Sequence, residues 1–473
     1  MKVLLINPAT SNIYSKISAN LPPLGLAYLA SYGQKNGHVF EILDLNLNTN
    51  GLSDEILKKF DVIGITSDTP RYPAALEIAQ IAKSTGKIVV MGGYHVTFMD
   101  EDALSHGSVD YVVRGEGEEI FTNLLNALEK NEDIENIDGI SYLQNGIYKR
   151  NRDALPPQNL DDLPFPAREL LPLKEYHTTL NGLESINMVT SRGCPFNCYF
   201  CSSSKFGGLK WRARSVKSIV DEIEYIYHTH NYKAFDFLDD NFTLNPKRVI
   251  AFADELEKRN LNIIWWCFSR ADTIVKNEYM VKRMAEAGAY RIFLGLESAS
   301  LDVLEDYNKN ISIKQQLDAV KILKKYGIRV HGSFIIGDEN ETEAMIMNTV
   351  KWARRLNPDL AQFSVLTPFP GTKLYEDMER EGKLLHHNWR EYDALHPTIK
   401  LKYIKPERLR KLTIKSYRKF YVNFNRLFKK ESTNGKSYQK NELKENKDGL
   451  IKTIKYSLNL FGQLRKEILK KAN

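Results

Sequence analysis

The sequence has 473 residues, 66 Lys and Arg, 59 Asp and Glu, and a formal net charge of +7, so it is long enough for two or three domains. No apolar run reaches about 18 residues, which argues against a membrane-spanning helix. The N-terminal run Met-Lys-Val-Leu-Leu-Ile lacks the features of a signal peptide, and the low cysteine count fits a reducing cytoplasm.

Residues 1–150 alternate between short apolar runs and amphipathic stretches. Short apolar runs are typical of strands buried on both faces, and they predict strands at residues 3–6, 40–44, 61–66, 87–93 and 111–114. Helices are predicted after the proline pair Pro22-Pro23, near residues 54–59, over 74–84, and from the segment 115–117 through residue 128. This alternation predicts an α/β fold with a doubly wound parallel sheet, which binds ligands at the carboxyl ends of its strands.

Residues 151–183 are rich in proline and aspartate, which predicts an interdomain linker. Alternation resumes from residue 184 and predicts six further strands, at residues 186–190, 234–238, 262–267, 290–295, 329–337 and 360–366. Amphipathic stretches between them, such as 216–228 and 246–259, predict helices. A second α/β domain is therefore expected after the linker.

Three of the four cysteines, Cys194, Cys198 and Cys201, have the spacing Cys-x-x-x-Cys-x-x-Cys. Thiolates this close can converge on one soft metal centre. Three ligands leave one iron of a four-iron cluster open to a substrate or cofactor. A zinc site would need a fourth ligand, usually from a second pair, and a disulfide would need an oxidising compartment.

With the aromatic Phe200 before the third cysteine, this spacing resembles the cluster motif of the radical S-adenosylmethionine (SAM) enzymes. The resemblance implies a [4Fe–4S] cluster on the three cysteines, with SAM bound at the open iron. An electron from a flavodoxin- or ferredoxin-type donor would cleave SAM, and the resulting 5′-deoxyadenosyl radical would abstract a hydrogen atom. Such chemistry belongs to the cofactor, which the protein positions.

The N-terminal region is similar to the cobalamin-binding domain of one large radical SAM subfamily. The similarity rests on Pro-Pro-Leu-Gly-Leu-Ala-Tyr-Leu-Ala (22–30), Gly-Gly-Tyr-His-Val-Thr (92–97) and Val-Arg-Gly-Glu-Gly-Glu (113–118). It implies cobalamin contacts at Pro23, Gly92, Gly93, Gly115 and Gly117, because glycine lets the backbone approach a corrin closely.

One departure concerns the lower cobalt ligand. Where related domains have Asp-x-His-x-x-Gly, this chain has Asp68-Thr-Pro-Arg-Tyr-Pro. Either cobalamin binds without that histidine, or the domain has lost cobalamin. His95 is the other candidate nearby, but a loop histidine is more often a surface or hydrogen-bonding group.

The six later strand–helix units resemble the partial (β/α)6 TIM-type barrel of the radical SAM family, whose chemistry lies at the carboxyl ends of the strands. The resemblance implies that Asp239, Asp240 and Asn241 are catalytic and contact the SAM amino group or the substrate, and that Arg270 pairs with the SAM carboxylate. It also implies that Glu297 contacts the SAM ribose, and that Gly337 and Phe200 contact the adenine.

Simpler roles compete with these assignments. Asp239 and Asp240 precede a helix and could cap it. Cys267 fits a small buried hydrophobic residue, although its place near a strand end also allows a catalytic thiol.

The positive charge is concentrated in the tail. Residues 401–473 hold 21 Lys or Arg against 6 Asp or Glu, whereas the first 400 hold 45 against 53. A basic helix is predicted over 403–428, a flexible stretch over 429–447, and an amphipathic helix over 450–469. The tail is either a solvated lysine-rich segment or an interfacial helix on an anionic membrane. No nucleic-acid module is evident.

The sequence thus predicts a cytoplasmic radical SAM enzyme, with peripheral contact at the inner membrane face under the second interpretation. The expected domains are 1–150 (cobalamin-binding type), 151–183 (linker), 184–375 (radical SAM) and 376–473 (helical and basic). The expected reaction is methylation, or bond or ring formation, at an unactivated carbon of a hydrophobic, lipid- or isoprenoid-like or natural-product substrate, with cobalamin.

Two alternatives stay open. One is a methylthiotransferase that modifies transfer RNA, although that group usually has N-terminal cluster cysteines and residues 1–193 contain none. The other is a non-catalytic corrin or iron–sulfur sensor.

Overall fold

The computed structural model describes residues 1–10, 20–47, 51–422 and 462. Backbone contacts divide the chain into two compact units. The first unit contains the described residues of 1–232, 368–377 and 387–393, and the second contains residues 233–367, 378–386 and 394–422. The predicted four-part division follows family patterns instead of contacts, and its boundaries stay a prediction.

All strands predicted in the sequence are present, with small shifts at their ends. In chain order the strands are β1 (Lys2–Asn7), β2 (Val39–Asp44), β3 (Val62–Thr66), β4 (Ile88–Gly92), β5 (Tyr111–Val113), β6 (Ile140–Gln144), β7 (Ile147–Arg150), β8 (Thr179–Leu180), β9 (Leu183–Met188), β10 (Ser191–Arg192), β11 (Arg212–Ala213), β12 (Ala234–Phe237), β13 (Ile264–Arg270), β14 (Ala289–Glu297), β15 (Arg329–Ile336) and β16 (Leu360–Val365).

Helices connect most of these strands. In chain order the α-helices are α1 (Leu24–Lys35), α2 (Asp54–Leu57), α3 (Tyr72–Ser84), α4 (Tyr94–Phe98), α5 (Asp100–Ser105), α6 (Gly117–Lys130), α7 (Ser202–Phe206), α8 (Val216–Thr229), α9 (Pro246–Lys258), α10 (Ala271–Lys276), α11 (Glu278–Glu286), α12 (Leu301–Asp306), α13 (Ile313–Lys325), α14 (Glu343–Leu356), α15 (Lys373–Arg380) and α16 (Pro406–Tyr421).

The first unit is built on a seven-stranded sheet of order β2-β1-β3-β4-β5-β6-β7. Strands β1 to β5 pair in parallel, as predicted, while β6 and β7 add an antiparallel edge. The sequence analysis missed this hairpin, whose turn residues Asn145 and Gly146 both have positive φ. An Asn-Gly pair between two strands is the strongest local signal for such a turn.

The predicted linker packs against the first unit. The amide of Ala167 donates to the carbonyl of Ala27 over 3.0 Å, and the buried Tyr176 hydroxyl donates to Asp44 Oδ2 over 2.9 Å. Residues 151–183 are therefore an ordered segment laid along α1 and β2 of this unit.

A buried charge group anchors the same segment. Glu222, on α8, has a side chain only 1% exposed and accepts from Arg168 over 3.0 Å and from Arg214. Burying an ionised carboxylate is costly unless opposite charges and hydrogen bonds compensate. The two guanidinium groups supply both, so this group ties Arg168 of the predicted linker to α8.

The second unit contains β12 to β16, which pair in parallel in consecutive order. Their carboxyl ends therefore share one edge, as in the predicted barrel. The remaining predicted barrel strand is β9, which belongs to the first unit.

Helix α16 covers the edge strand β16. The Tyr417 hydroxyl accepts from the Phe363 amide over 3.1 Å, and the Tyr421 hydroxyl accepts from the Ala361 amide over 3.0 Å. Covering an edge strand protects its backbone groups from pairing with another chain. The predicted segments 429–447 and 450–469 lie outside the described residues, apart from residue 462. None of the helices among the described residues is long and apolar enough to cross a membrane.

We expect Glu222→Gln to lower the free energy of unfolding by about 3–5 kcal/mol, because Arg168 and Arg214 would stay buried without their counter-charge. Chemical denaturation of the cofactor-free chain measures this. The control is Asp221→Asn on the same helix, which breaks an exposed pair with Lys217 worth about 0.5 kcal/mol. Equal losses in the two variants would contradict the structural role of Glu222.

Candidate cofactor and active site

The three-cysteine loop is closed at its base by a two-residue ladder. Strand β10 pairs antiparallel with β11, with Arg192 opposite Arg212. Gly193, directly after β10, has φ +80°, and a Cβ there would lie 2.5 Å from the carbonyl oxygen of Lys210. Glycine is therefore required at this position, and it starts the loop that carries the cysteines.

The cysteines differ in exposure along this loop. Cys198 is 8% exposed, Cys194 and Cys201 are half-buried, and none of the three is in a disulfide. The Cys201 amide donates to the carbonyl of Cys198 over 3.1 Å. Phe200, the predicted adenine neighbour, is half-buried between them.

Contacts with other parts of the first unit hold the loop in place. The Tyr199 hydroxyl donates to Asp377 over 3.0 Å, and the ring of Phe206, at the end of α7, stacks on Tyr94 with centroids 4.1 Å apart. Tyr94 belongs to the segment Gly-Gly-Tyr-His-Val-Thr at the end of β4. The cysteine loop thus contacts a strand end of the N-terminal sheet directly.

Charged side chains make a second link between the same regions. Arg192 donates to Glu116 over 2.8 Å and to Glu118 over 2.7 Å, and Arg212 pairs with Glu116. Burial by itself lowers the pKa of Arg192, but Glu118 and Glu116 outweigh it and raise that pKa. Arg192 therefore keeps its charge at any physiological pH.

The predicted cobalamin residues follow the parallel strands of the N-terminal sheet. Pro23 precedes α1. Gly93 has φ +109°, and a Cβ there would lie 2.6 Å from the carbonyl oxygen of Ser67. The backbone after β4 therefore packs directly against the backbone after β3. A Cβ on Gly117 would lie 3.2 Å from Leu29, which is a tight contact, whereas one on Gly92 would lie at an ordinary contact distance of 3.4 Å from the carbonyl oxygen of Val113.

Gly115 differs from Gly92, Gly93 and Gly117, the other glycines predicted to contact cobalamin. A Cβ on Gly115 would meet nothing within 4 Å, although its φ is +78°. Its amide donates to the Thr97 hydroxyl over 2.9 Å. This open backbone at a strand end fits the close approach of a corrin. The strand-end chemistry therefore suits the predicted cobalamin, with Gly115 the best-placed of the five predicted contacts.

His95 is buried, so of the two expected roles, a surface group or a hydrogen-bonding group, the structure excludes the first. Its Nδ1 lies 3.3 Å from the Thr69 hydroxyl, and its ring packs between Tyr72 and Trp389. Burial lowers the pKa of His95 to about 3, so the ring is neutral at pH 7. The expected hydrogen-bonding role is confirmed.

In the second unit, the predicted catalytic residues follow β12. Asp239 is fully buried, with Arg248 3.9 Å away, and Asp240 is half-buried. Neither caps a helix, because α9 begins after Asn245, whose side chain accepts from the Arg248 amide. The capping alternative is therefore wrong.

Asn241 is also buried, at 1% exposure. Its Oδ1 accepts from the Thr243 hydroxyl over 3.3 Å, and that hydroxyl lies 2.6 Å from the hydroxyl of Ser269. Cys267 is fully buried, and burial, reinforced by Asp239, raises the pKa of its thiol. A neutral buried thiol favours the packing role over a catalytic one.

The last residues of β13 and β14, Arg270 and Glu297, belong to a network that the sequence did not reveal. Glu297 has φ +59° and lies 2.5 Å from Lys309 Nζ. Arg270 donates to Asp272 over 3.0 Å and to the carbonyl of Lys309 over 2.8 Å. Lys309 lies 12 residues beyond Glu297, and no local pattern marks it.

Gly337, after β15, is held by Glu341, a residue that was not predicted from the sequence. Its amide donates to Glu341 Oε2 over 2.6 Å, and a Cβ would lie 2.8 Å from Leu409. Burial raises the pKa of Glu341 to about 8. A charged residue four positions after a strand-end glycine was the available signal.

Comparison with known proteins identifies the family. Residues 188–353 match the radical SAM superfamily and residues 12–125 match the B12 binding domain. A protein of Pyrococcus horikoshii named uncharacterized methyltransferase PH0819 is 41% identical over 89% of this chain and 93% of its own. The chain belongs to the radical SAM superfamily. An anaerobic magnesium-protoporphyrin IX monomethyl ester cyclase of Rubrivivax gelatinosus is 32% identical over 89% of this chain and 78% of its own.

A solved structure supports the fold. It is the radical SAM methyltransferase TsrM from Kitasatospora setae, with cobalamin and a [4Fe–4S] cluster bound. It matches with a TM-score of 0.68 at 18% identity, over 80% of this chain and 78% of that chain. The predicted fold class, a parallel α/β sheet followed by a partial barrel, is confirmed.

The predicted cofactors are confirmed through the family, since a radical SAM domain implies a [4Fe–4S] cluster and SAM, and a B12-binding domain implies cobalamin. Across the described part of the chain, no three Cys, His, Asp or Glu side chains already converge as metal ligands. The fit of Cys194, Cys198 and Cys201 to a cluster therefore rests on three thiols outside any disulfide that one short loop carries.

We expect Cys198→Ala to reduce bound iron far below the roughly four atoms per chain of a full cluster, because the other two thiols cannot hold it. Iron and sulfide analysis after anaerobic reconstitution measures this. Cys267→Ala is the matched control and should keep full iron. Full iron in folded Cys198→Ala, or loss of iron in folded Cys267→Ala, would contradict the ligand assignment.

The raised pKa of Glu341 predicts that the free energy of unfolding depends on pH. Its folded pKa of about 8 exceeds the unfolded value, so the folded state keeps a proton that the unfolded chain releases, and stability falls as pH rises toward 8. Glu341→Gln cannot titrate. Between pH 6 and 8 we expect its stability relative to wild type to improve by about 1.4 kcal/mol per pH unit. A difference that does not change with pH would contradict this.

Proposed function

We propose that this protein is a cobalamin-dependent radical SAM methyltransferase that adds a methyl group to an unactivated carbon of a hydrophobic small molecule. When bound, the cluster supplies the electron that cleaves SAM, and cobalamin carries the methyl group. The observation that carries the proposal is the stacking of Phe206 on Tyr94 within the first unit. Through it, the cysteine loop and the strand end expected to bind the corrin belong to one compact body.

In this proposal the chain binds and orients the cofactors. Cys194, Cys198 and Cys201 hold the cluster, and the open backbone at Gly115 receives the corrin. In the second unit, Asp239, Asn241 and Glu297 offer polar atoms for SAM or substrate. Arg270 already donates to Asp272 and to the Lys309 carbonyl, so we assign it to fixing Lys309 as well as to SAM.

Support for a hydrophobic substrate comes from one face of the second unit's sheet. Trp266, Phe268, Phe293 and His331 are half-buried there, while Trp265 and Cys267 on the other face are fully buried. Phe268 is in register with Phe293, and Phe293 with His331, on three adjacent strands. Their ring centroids lie 4.9 and 4.6 Å apart.

The same face also carries Arg291, whose guanidinium lies over the Trp266 ring, 5.4 Å from its centroid. Burial, with Arg291 nearby, lowers the pKa of His331 to about 3, so its ring is neutral at pH 7. A partly exposed row of aromatic rings suits an apolar or conjugated carbon skeleton. A lipid, an isoprenoid or a tetrapyrrole has that chemistry.

Ring formation is the second candidate, since the Rubrivivax relative is named a cyclase. It would use hydrogen abstraction and coupling in place of methyl transfer. An external flavodoxin- or ferredoxin-type protein would donate electrons in either case. Membrane contact is proposed only for the basic tail, because the apolar residues of α16, such as Leu412 and Phe420, are already buried.

The test is anaerobic turnover with reconstituted cluster, cobalamin, a chemical reductant and SAM carrying a deuterated methyl group. The substrates are magnesium-protoporphyrin IX monomethyl ester and a polyprenol. We expect 5′-deoxyadenosine from wild type and Cys267→Ala but not from Cys198→Ala, corrin retained after desalting, and deuterium in the product.

Other outcomes separate the candidates. Deoxyadenosine with an unlabelled product that has lost hydrogen would favour ring formation. A full cluster and bound corrin with no SAM cleavage above the Cys198→Ala background would contradict both candidates.

A further inference from the structure

Two carboxylates within the B12-binding match bind two arginines within the radical SAM match. Glu116 and Glu118 follow β5, whereas Arg192 and Arg212 lie at the two ends of the loop that contains the cysteines. We propose that Glu116 and Glu118 are positioning residues that hold the cluster loop in register with the corrin-binding strand ends. The proposal rests on the cluster and cobalamin assigned under the proposed function.

Glu116 is fully engaged by the loop. Its Oε2 accepts from Arg192 over 2.8 Å and from Arg212 Nη1 over 3.1 Å, and its Oε1 accepts from Arg212 Nη2. This is the planar, two-pronged pairing that a guanidinium makes with a carboxylate. With both oxygens occupied, Glu116 is suited to hold the loop and not to bind a corrin amide.

Glu118 completes the pairing of Arg192, which donates to it over 2.7 Å. The side chains of Glu116 and Glu118 are 4% and 6% exposed, and that of Arg212 is 2% exposed. Charged groups so deeply buried are strongly destabilised when a partner is removed. The four side chains therefore act as one group, unlike an exposed ion pair.

The arginines pass this constraint to the cysteines. Arg192 is followed directly by Gly193 and Cys194, and Arg212 Nη2 also donates to the carbonyl of Gly207 over 2.9 Å. A Cβ on Gly193 would lie 2.7 Å from that same carbonyl oxygen. Fixing the two arginines therefore fixes the backbone at the entry to the cluster loop and at its exit.

The glutamates are fixed in turn by the strand end. Glu116 follows Gly115, whose amide is held by Thr97, and both flank the backbone expected to meet the corrin. Because binding linkage is reciprocal, a corrin that orders residues 115–118 also orders the cluster loop. Cluster binding should strengthen corrin binding by the same factor.

Hydrogen exchange on the cofactor-free chain gives the first test. In Glu116→Gln we expect amides of residues 191–201 and 207–213 to exchange about tenfold faster, with the remaining peptides unchanged. Glu118→Gln removes one partner of Arg192 and should give a smaller effect, confined to 191–201, if Glu116→Gln does not fold. The control is Glu119→Gln, an exposed acidic neighbour on the same helix turn.

Cofactor binding gives the second test. In wild type, the Kd for hydroxocobalamin should be lower with the cluster present than without it, and this ratio should fall toward one in Glu116→Gln. Iron release to a chelator should be about tenfold faster in that variant. The Kd for hydroxocobalamin without the cluster should stay within about twofold of wild type.

Three results would overturn the inference. One is weaker hydroxocobalamin binding in cluster-free Glu116→Gln with unchanged loop exchange, which would make Glu116 a corrin contact. The second is faster exchange across all peptides, which would make the group a general stability element. The third is a wild-type Kd that does not depend on the cluster. Because the exchange arm uses no cofactor, failure of the proposed function would leave its outcome unaffected.

Discussion

The first unit depends on pairing arginines and glutamates that are buried together. One group joins Arg168 and Arg214 to Glu222, and the other joins Arg192 and Arg212 to Glu116 and Glu118. All of these pairs except Arg214–Glu222 cross a long stretch of sequence. Each group would be strongly unfavourable if a partner were missing. The positions of the linker segment and the cysteine loop are therefore set by charge pairing as well as by apolar packing.

This constraint matters because the cysteine loop has little regular structure of its own. Its base is a two-residue ladder, and its first residue, Gly193, tolerates no side chain. A loop that must present three thiolates to one centre gains from a preorganised backbone, since ordering it at the moment of binding would cost entropy. The ion pairs and the Tyr94–Phe206 stack supply that order in advance.

The second unit uses a different device at its strand ends. Parallel strands place Asp239, Arg270 and Glu297 along one edge, and each has a polar partner from outside its own strand. Arg248 lies near Asp239, and Lys309 meets both of the others. The partners restrict the rotamers of the site residues, as supporting shells do in functional sites generally.

The sequence was sufficient to predict the succession of strands along the chain, because buried parallel strands appear in it as apolar runs with glycine-rich ends. It was also sufficient for Cys194, Cys198 and Cys201, whose spacing carries its own chemistry. It was insufficient for Lys309 and for the arginine partners of Glu116, because these pairs form only after distant segments fold together. The same holds for His95, whose burial depends on Trp389, almost three hundred residues later.

The two units differ in how well they tolerate substitution. The charged groups of the first unit share no residue with the aromatic row of Trp266, Phe268, Phe293 and His331 in the second. A substitution in the aromatic row changes the shape of a half-buried face without removing a member of a buried ion pair, whereas a substitution in the charged group leaves an unpaired charge. The aromatic row can therefore vary with the substrate at low cost in stability, while the charge group that holds the cluster loop cannot.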